Sequence, residues 1–154
     1  MPTIEQLIKQ NKFQNEKHRA LISIIYANNL VNRFYEEILG KFDLTLQQYN
    51  VMRILRGQYP TPSTVNLIRE RMLDRMSDTS RIVERLRKTG LVERVKSQKD
   101  RRAVDIVITK KGLEILAKID AHEEDWIKPA LKLSEKDAVQ LNGYLEKIFD
   151  MMAS

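Results

Sequence analysis

The sequence predicts a mainly α-helical (α+β) fold in which several helices accompany one two-stranded β-hairpin. Apolar residues recur at spacings of three and four along most of the chain, as on the buried face of a helix. The stretch 91–109 instead reads as a strand, a charged tip and a second strand. With 154 residues and no flexible linker, the chain suits one domain that spans residues 1–154.

The composition narrows the classes of function. A formal net charge of +6 favours a polyanionic partner. The chain has no Cys, its two His are far apart in sequence, and it has no phosphate-binding Gly-rich loop, so we expect no enzyme, no cofactor and no metal. Since no signal peptide and no run long enough to cross a membrane are present, we expect a cytoplasmic protein without a membrane partner.

A long amphipathic helix and a shorter one are predicted first. The long helix runs from Glu16 to Leu39, and Gly40 ends it. Thr45 and Gln48 then match a capping box, in which each side chain bonds to the backbone N–H of the other residue. This second helix ends near residue 57.

Two further helices follow at short distance. Ser63 is expected to cap the first, which reaches Met72. The other begins near Ser77 and ends before Thr89-Gly90. Its apolar stripe is expected to bury Thr79, Ile82, Val83 and Leu86. The opposite face is polar at its start and largely basic further on.

A basic β-hairpin comes directly after this helix. Val104, Ile106 and Ile108 alternate as a half-buried strand. Arg101 and Arg102 lie at the tip before it, where cationic side chains can reach phosphates or enter a narrow minor groove. A basic hairpin beside a basic helix therefore indicates a DNA-binding protein.

The C-terminal part is predicted to be helical. Thr109 caps a helix that continues to about Trp126 and is ended by Pro129. A last helix opens at residues 134–137 and carries an apolar seam of heptad type. Together with the long N-terminal helix, these segments are suited to association. The residues expected at a dimer interface are Leu21, Ile25, Leu116, Ile119, Leu141, Leu145, Ile148 and Met152.

The order helix, helix, helix, strand, charged tip, strand is that of a winged helix-turn-helix, whose second paired helix enters the major groove. Here that reading helix is 77–89 and the supporting helix is 63–72. Four segments in this order resemble the signatures of MarR-type transcriptional regulators: Leu44 to Tyr49, Ile82 to Val92, Asp100 to Arg102, and Ile108 to Gly112. Two positions differ from the usual pattern, because Ile68 stands where a small Ala is common and the turn 73–76 has no Gly.

The resemblance implies a homodimeric regulator that binds a pseudo-palindromic operator, usually represses, and often leaves the DNA when a small molecule binds. It implies a DNA-binding lobe at about 43–109 and a helical dimerisation region at about 10–40 and 110–152. The alternative is a winged helix that serves architectural nucleic-acid binding or protein association without effector control.

Individual DNA contacts follow from position on these elements. Arg81 can pair bidentately with guanine, worth roughly 1 to 3 kcal/mol of discrimination. Ser77 and Asp78 either reach base edges or merely cap the helix. At the hairpin, Asp100 would orient one of the two arginines, or the charges form a surface ion pair. The predicted DNA-binding set is Ser63, Thr64, Ser77, Asp78, Ser80, Arg81, Arg85, Lys96, Lys99, Asp100, Arg101 and Arg102.

An effector would be a small aromatic or anionic molecule in a crevice between the dimer helices and the reading helix. The side chains on segments that could line such a crevice are His18, Tyr26, Phe34, Tyr35, Tyr49, Tyr59 and His122. The alternative is that these aromatics belong to the core. The acidic run from His122 to Asp125 is interpreted as a solvated helix face rather than a metal site.

Overall fold

A computed structural model of the protein describes residues 2–10, 12–97, 104–122, 125 and 131–152. A 3-10 turn at Gly40–Phe42 follows the second helix. The other elements are α1 (Ile4–Ile8), α2 (Glu16–Leu39), α3 (Leu46–Gln58), α4 (Val65–Arg71), α5 (Thr79–Lys88), β1 (Val92–Lys96), β2 (Val104–Ile108), α6 (Lys110–Asp120) and α7 (Glu135–Met152). This order confirms a mainly α-helical fold with a two-stranded hairpin. Among the described residues, no helix is long and apolar enough to cross a membrane.

The chain forms two compact units, Met1–Leu116 and Ala117–Ser154. The division falls within α6, beyond the border near residue 109 that the sequence suggested. The first turns of α6 belong to the first unit because Thr109 ties them to the hairpin. Its N–H donates to the Leu91 carbonyl at 3.1 Å, and its hydroxyl accepts from the Gly112 N–H at 3.1 Å.

Local signals predicted several helix ends correctly. Helix α2 has the expected bounds, and Asn15 caps it by accepting a hydrogen bond from the His18 N–H at 2.9 Å. The capping box of α3 is confirmed. Thr45 Oγ1 accepts from the Gln48 N–H at 3.2 Å, and Gln48 Oε1 accepts from the Thr45 N–H at 2.9 Å. Helix α1 was not predicted.

The caps of α4 and α5 differ from the predictions by one residue each. Thr64, not Ser63, caps α4, with its Oγ1 accepting from the Leu67 N–H at 3.1 Å. Ser63 is unavailable because its N–H and C=O pair with the C=O and N–H of Ile106, each at 2.8 Å, beside β2. Asp78, not Ser77, caps α5.

The hairpin pairs β1 and β2 in antiparallel register, from Val92 opposite Ile108 to Lys96 opposite Val104. Ile106 and Ile108 are buried as expected, but Val104 is exposed, at the last pair before the hairpin tip. Helix α6 ends at Asp120, before the predicted end at Trp126, and residues 121–122 form a turn. Trp126 and Pro129 lie outside the described residues.

The buried core contains apolar side chains from the end of α2, from α3 to α6 and from both strands. The bulky Ile68 is fully buried, so α4 accommodates it in place of a smaller residue. Leu116 and Ile119 are also buried within the single chain, which leaves a partner no access to them, contrary to their assignment to a dimer interface. Other fully buried residues are Leu39, Val51, Met52, Leu55, Val83, Leu86, Val92, Ile106 and Ile108.

Candidate nucleic-acid interface

The exposed face of α5, the predicted reading helix, is basic. Arg81, Arg85 and Lys88 are exposed and recur at spacings of four and three, so they share one side of the helix. Thr79, Val83 and Leu86 are buried on the opposite side, and Ile82 is half-buried between them. The side chains of Arg81 and Arg85 make no hydrogen bond or ion pair with another described residue. This face is therefore available to a ligand.

The start of α5 is occupied by its own cap. Asp78 Oδ1 accepts a hydrogen bond from the Arg81 N–H at 3.0 Å, which satisfies a backbone donor that the helix leaves unpaired. The Ser77 hydroxyl donates to Asp74 Oδ2 at 2.7 Å, and this bond is the main cause that lowers the pKa of Asp74. Of the polar residues predicted in the first turns, Ser80 remains exposed beside Arg81.

Glu84 pairs two other arginines. Its carboxylate accepts from Arg87 Nε at 3.0 Å and from Arg87 Nη2 at 2.8 Å, and Arg94 Nη2 on β1 lies 3.3 Å away. The hydrogen bond from Arg87 is the main cause that lowers the pKa of Glu84. Helical spacing puts Glu84 on the same side of the helix as Arg81 and Lys88, and its ion pair with Arg94 joins the reading helix to the hairpin.

The end of α5 is fixed to the start of α6. Gly90 has a φ of 74°, in the left-handed region where Gly carries little strain. Lys111 donates from Nζ to the Thr89 carbonyl at 2.9 Å. Its ammonium group thus stabilises the last turn of the reading helix, where carbonyls lack partners.

Of the remaining predicted DNA contacts, some are exposed, one is buried and the others lie outside the described residues. Thr64 is exposed at the start of α4, whereas Ser63 is 1% exposed and does not reach the protein surface, so we remove it from the candidate set. Lys96 is exposed at the end of β1. The predicted hairpin contacts Lys99, Asp100, Arg101 and Arg102 lie outside the described residues.

A cavity of about 590 Å³ lies in the first unit between α2, α3 and the start of the turn that joins α4 to α5. Tyr35 and Tyr49 line it, with ring centroids 6.4 Å apart. The other side chains suggested for an effector site do not line this cavity. Arg53 Nη1 donates to the Tyr49 hydroxyl at 3.1 Å, and the guanidinium carbon lies 5.6 Å from the centre of that ring. A cation and two aromatic rings therefore meet in one wall.

Of the residues that line this cavity, sequence reasoning suggested only Tyr35 and Tyr49 and missed, among others, Arg53, Asn50 and Asp74. Arg53 follows Tyr49 by one helical turn, which a search for basic residues beside aromatic ones could have found. Asn50 and Asp74 carry no such signal. They come together because Asn50 Oδ1 accepts from the Leu73 N–H at 2.9 Å, a contact between residues 23 positions apart.

Residues 42–103 match the model of the MarR family. The chain is 29% identical over 135 residues to the HTH-type transcriptional regulator MgrA of Staphylococcus aureus. The aligned region covers 87% of this chain and 90% of MgrA.

Two solved structures share the fold. AbsC, a MarR family transcriptional regulator from Streptomyces coelicolor, has a TM-score of 0.78 at 21% identity, with 93% of this chain and 99% of that chain covered. Bordetella bronchiseptica BpsR, whose DNA binding is regulated by 6-hydroxynicotinic acid, has a TM-score of 0.76 at 17% identity. The match covers 91% of this chain and 99% of the BpsR chain.

Proposed function

The chain belongs to the MarR family of transcriptional regulators, and on that premise we propose that it is a homodimeric repressor that a small molecule releases from an inverted-repeat operator. Regulators of this family bind DNA and are not enzymes, so the chain is a DNA-binding transcriptional regulator. We propose that it acts in the cytoplasm, as one regulator domain over residues 1–154.

The basic face of α5 is the single observation that carries the proposal. Arg81 and Arg85 are exposed on it without a partner among the described residues, while Glu84 forms ion pairs with the neighbouring Arg87 and Arg94. An arginine near the start of a helix in the major groove can donate two hydrogen bonds to guanine. We propose that Arg81 reads a base and that Arg85 contacts a base or a phosphate.

The hairpin and the supporting helix would add contacts at the flanks. Lys96 is exposed at the end of β1, and Thr64 is exposed at the start of α4. We propose that Lys96, Lys99 and the Arg101-Arg102 pair bind phosphates or the minor groove beside the reading helix, with Asp100 orienting one guanidinium.

Dimerisation is supported by exposed apolar side chains on two helices. On α2, Leu21 is 55% exposed and Ile25 is 51% exposed. On α7, Leu141 is also exposed, and Leu145 and Ile148 are half-buried. Met152 ends that helix, and its side chain lies outside the described part. Because one winged helix contacts one half-site, two half-sites about 34 to 36 Å apart require a twofold partner.

Effector control is supported by the cavity between α2, α3 and the turn that precedes the reading helix. Arg53 supplies a cation, and Tyr35 and Tyr49 supply aromatic surface, so the cavity suits a small aromatic molecule with an anionic group. The similarity to BpsR, whose DNA binding 6-hydroxynicotinic acid regulates, agrees with this ligand class. We propose that such a molecule binds here and lowers operator affinity.

The decisive experiment is selection of duplexes from a random library by the purified protein at two salt concentrations, since phosphate contacts make affinity salt-dependent. We expect an enriched inverted repeat with a fixed half-site spacing. Salt-sensitive binding without an enriched motif would replace the repressor proposal with architectural binding.

A further inference from the structure

We propose that Asn50 is a positioning residue that links the cavity to the reading helix through its hydrogen bond with the Leu73 backbone. The inference rests on the effector role proposed above for the cavity. Through this bond an occupant of the cavity would alter DNA binding, although Asn50 lies on α3, outside the predicted DNA-binding set.

The hydrogen bond joins the scaffold to the turn before the reading helix. Asn50 lies on α3 and is half-buried, and its Oδ1 accepts from the Leu73 N–H at 2.9 Å. Met72 follows α4, Leu73 comes next, and residues 72–78 connect α4 to α5. The side chains of Leu73 and Met76 are 83% and 93% exposed, so these two residues do not anchor the turn through apolar packing. Met72, at the start of the turn, is buried at 4% exposure, and beyond it a side-chain hydrogen bond from α3 holds Leu73.

The turn transmits this restraint to the reading helix because it is internally bonded. Asp74 Oδ1 accepts from the Met76 N–H at 3.0 Å, and Asp74 Oδ2 accepts from the Ser77 hydroxyl at 2.7 Å. Ser77 precedes Asp78, the residue that caps α5. A continuous chain of short hydrogen-bonded steps therefore runs from Asn50 to the first turn of α5. Displacement of residue 73 would move the start of the reading helix, where Arg81 lies.

The same hydrogen bond lies in the cavity wall. Asn50, Leu73 and Asp74 all line the cavity, and Arg53 lies on the same side of α3 as Asn50, three residues further along. An anionic group drawn to Arg53 would therefore place the rest of a ligand beside the Asn50 amide. A ligand shifts a conformational equilibrium only if it makes different contacts in the two conformations. The Asn50–Leu73 hydrogen bond in the cavity wall supplies such a difference, because a ligand would contact the wall differently with the bond formed and with the bond broken.

Asn50→Leu tests the inference because it keeps the approximate volume and removes the acceptor. Gln47→Leu is the matched control, since Gln47 lines the same cavity from α3 and forms no hydrogen bond with the turn among the described residues. Asn50→Asp retains an acceptor oxygen. Asn50→Ala is the substitute if thermal unfolding shows that Asn50→Leu does not fold.

The first readout needs no ligand. We expect Asn50→Leu to weaken binding to the selected operator by about five- to tenfold, as loss of one hydrogen bond implies. Affinity for random duplex should change little. Hydrogen exchange should be faster at the Leu73 amide and at the start of α5, and Asn50→Asp should restore much of the protection. Unchanged operator affinity together with unchanged exchange at residue 73 would overturn the positioning role.

The second readout is the factor by which 6-hydroxynicotinic acid weakens operator binding. We expect a smaller factor in Asn50→Leu than in the wild type and in Gln47→Leu. An equal factor in all three proteins would overturn the coupling through Asn50 while leaving effector control intact. If the probe does not weaken operator binding by the wild type, the effector proposal fails for this ligand, and the exchange and affinity measurements alone decide the role of Asn50.

Discussion

The Glu84 carboxylate on the reading helix lies 3.3 Å from Arg94 Nη2 on β1, so one acidic side chain connects the two elements that would contact DNA. The same carboxylate receives two hydrogen bonds from Arg87. Fewer basic side chains are therefore available to phosphates than the sequence of this surface contains, because Arg87 and Arg94 are paired with Glu84. Arg81 and Arg85 stand apart from this pairing.

Glu84→Gln should strengthen binding to random duplex, because Arg87 and Arg94 are then released to contact phosphates. The plot of log affinity against log salt concentration should become steeper, by about one unit for each added phosphate contact. Glu93→Gln is the matched control, as it removes a negative charge from the neighbouring position on β1. If both variants steepen the plot equally, net charge alone explains the effect.

Arg81→Ala should lower affinity for the operator by about tenfold or more, as expected from loss of a bidentate contact with guanine. Affinity for random duplex should fall much less. Titration of labelled duplexes with the protein measures both. Lys41→Ala removes one exposed charge from the turn after α2 and serves as the control. Equal losses on operator and random DNA from Arg81→Ala would assign Arg81 to a phosphate.

Leu21→Glu should convert a dimer into a monomer, because it places a charge on an exposed apolar position of α2. Light scattering should then give the mass of one 18.1 kDa chain. Leu131→Glu changes an exposed Leu that lies outside the helices, and it should leave the mass of the dimer unchanged. A wild-type protein that scatters as a single chain at micromolar concentration would contradict the dimer.

Gly112→Ala should destabilise the fold by about 1 to 3 kcal/mol through overpacking. A Cβ at this position would lie 2.5 Å from the Leu91 carbonyl oxygen and 2.7 Å from Ile108 Cγ1, where α6 meets the hairpin. Gly57→Ala on α3 is the control, because a Cβ there meets nothing within 4 Å and Ala favours a helix. Urea unfolding measures both, and equal stability of the two variants would exclude the predicted clash.

The ion pair of Glu5 with Arg19 should make stability depend on pH in the acidic range. Arg19 Nε donates to Glu5 Oε1 at 2.7 Å, and this bond is the main cause that lowers the pKa of Glu5 from 4.5 to about 2. Because the folded pKa is depressed, the contribution is present above pH 4.5 and is lost as the pH falls towards 2.

Unfolding of the wild type and Glu5→Gln at several pH values tests this dependence. The difference in stability should be small, since solvent reaches both side chains of the pair. It should shrink below pH 4.5 and should decrease in high salt. A difference that persists at pH 2 would show that it does not arise from the ionised carboxylate.

The sequence by itself determined the features that depend on near neighbours. The spacing of apolar residues predicted α2 with its bounds, and the Thr45 and Gln48 pair predicted the start of α3. The buried and exposed sides of α5 also follow from helical periodicity, which is why Arg81 and Arg85 could be assigned to the solvent face in advance. A helix cap or face requires partners only three or four residues away.

The tertiary structure alone decided which surfaces meet. Ser63 is buried because its backbone pairs with Ile106, and the apolar residues Leu116 and Leu21 differ in burial although both lie on amphipathic helices. The Asn50 bond to Leu73 carries no sequence signal either. These outcomes depend on contacts between segments distant in sequence, and local periodicity says which face of a helix is apolar but not which surface covers it.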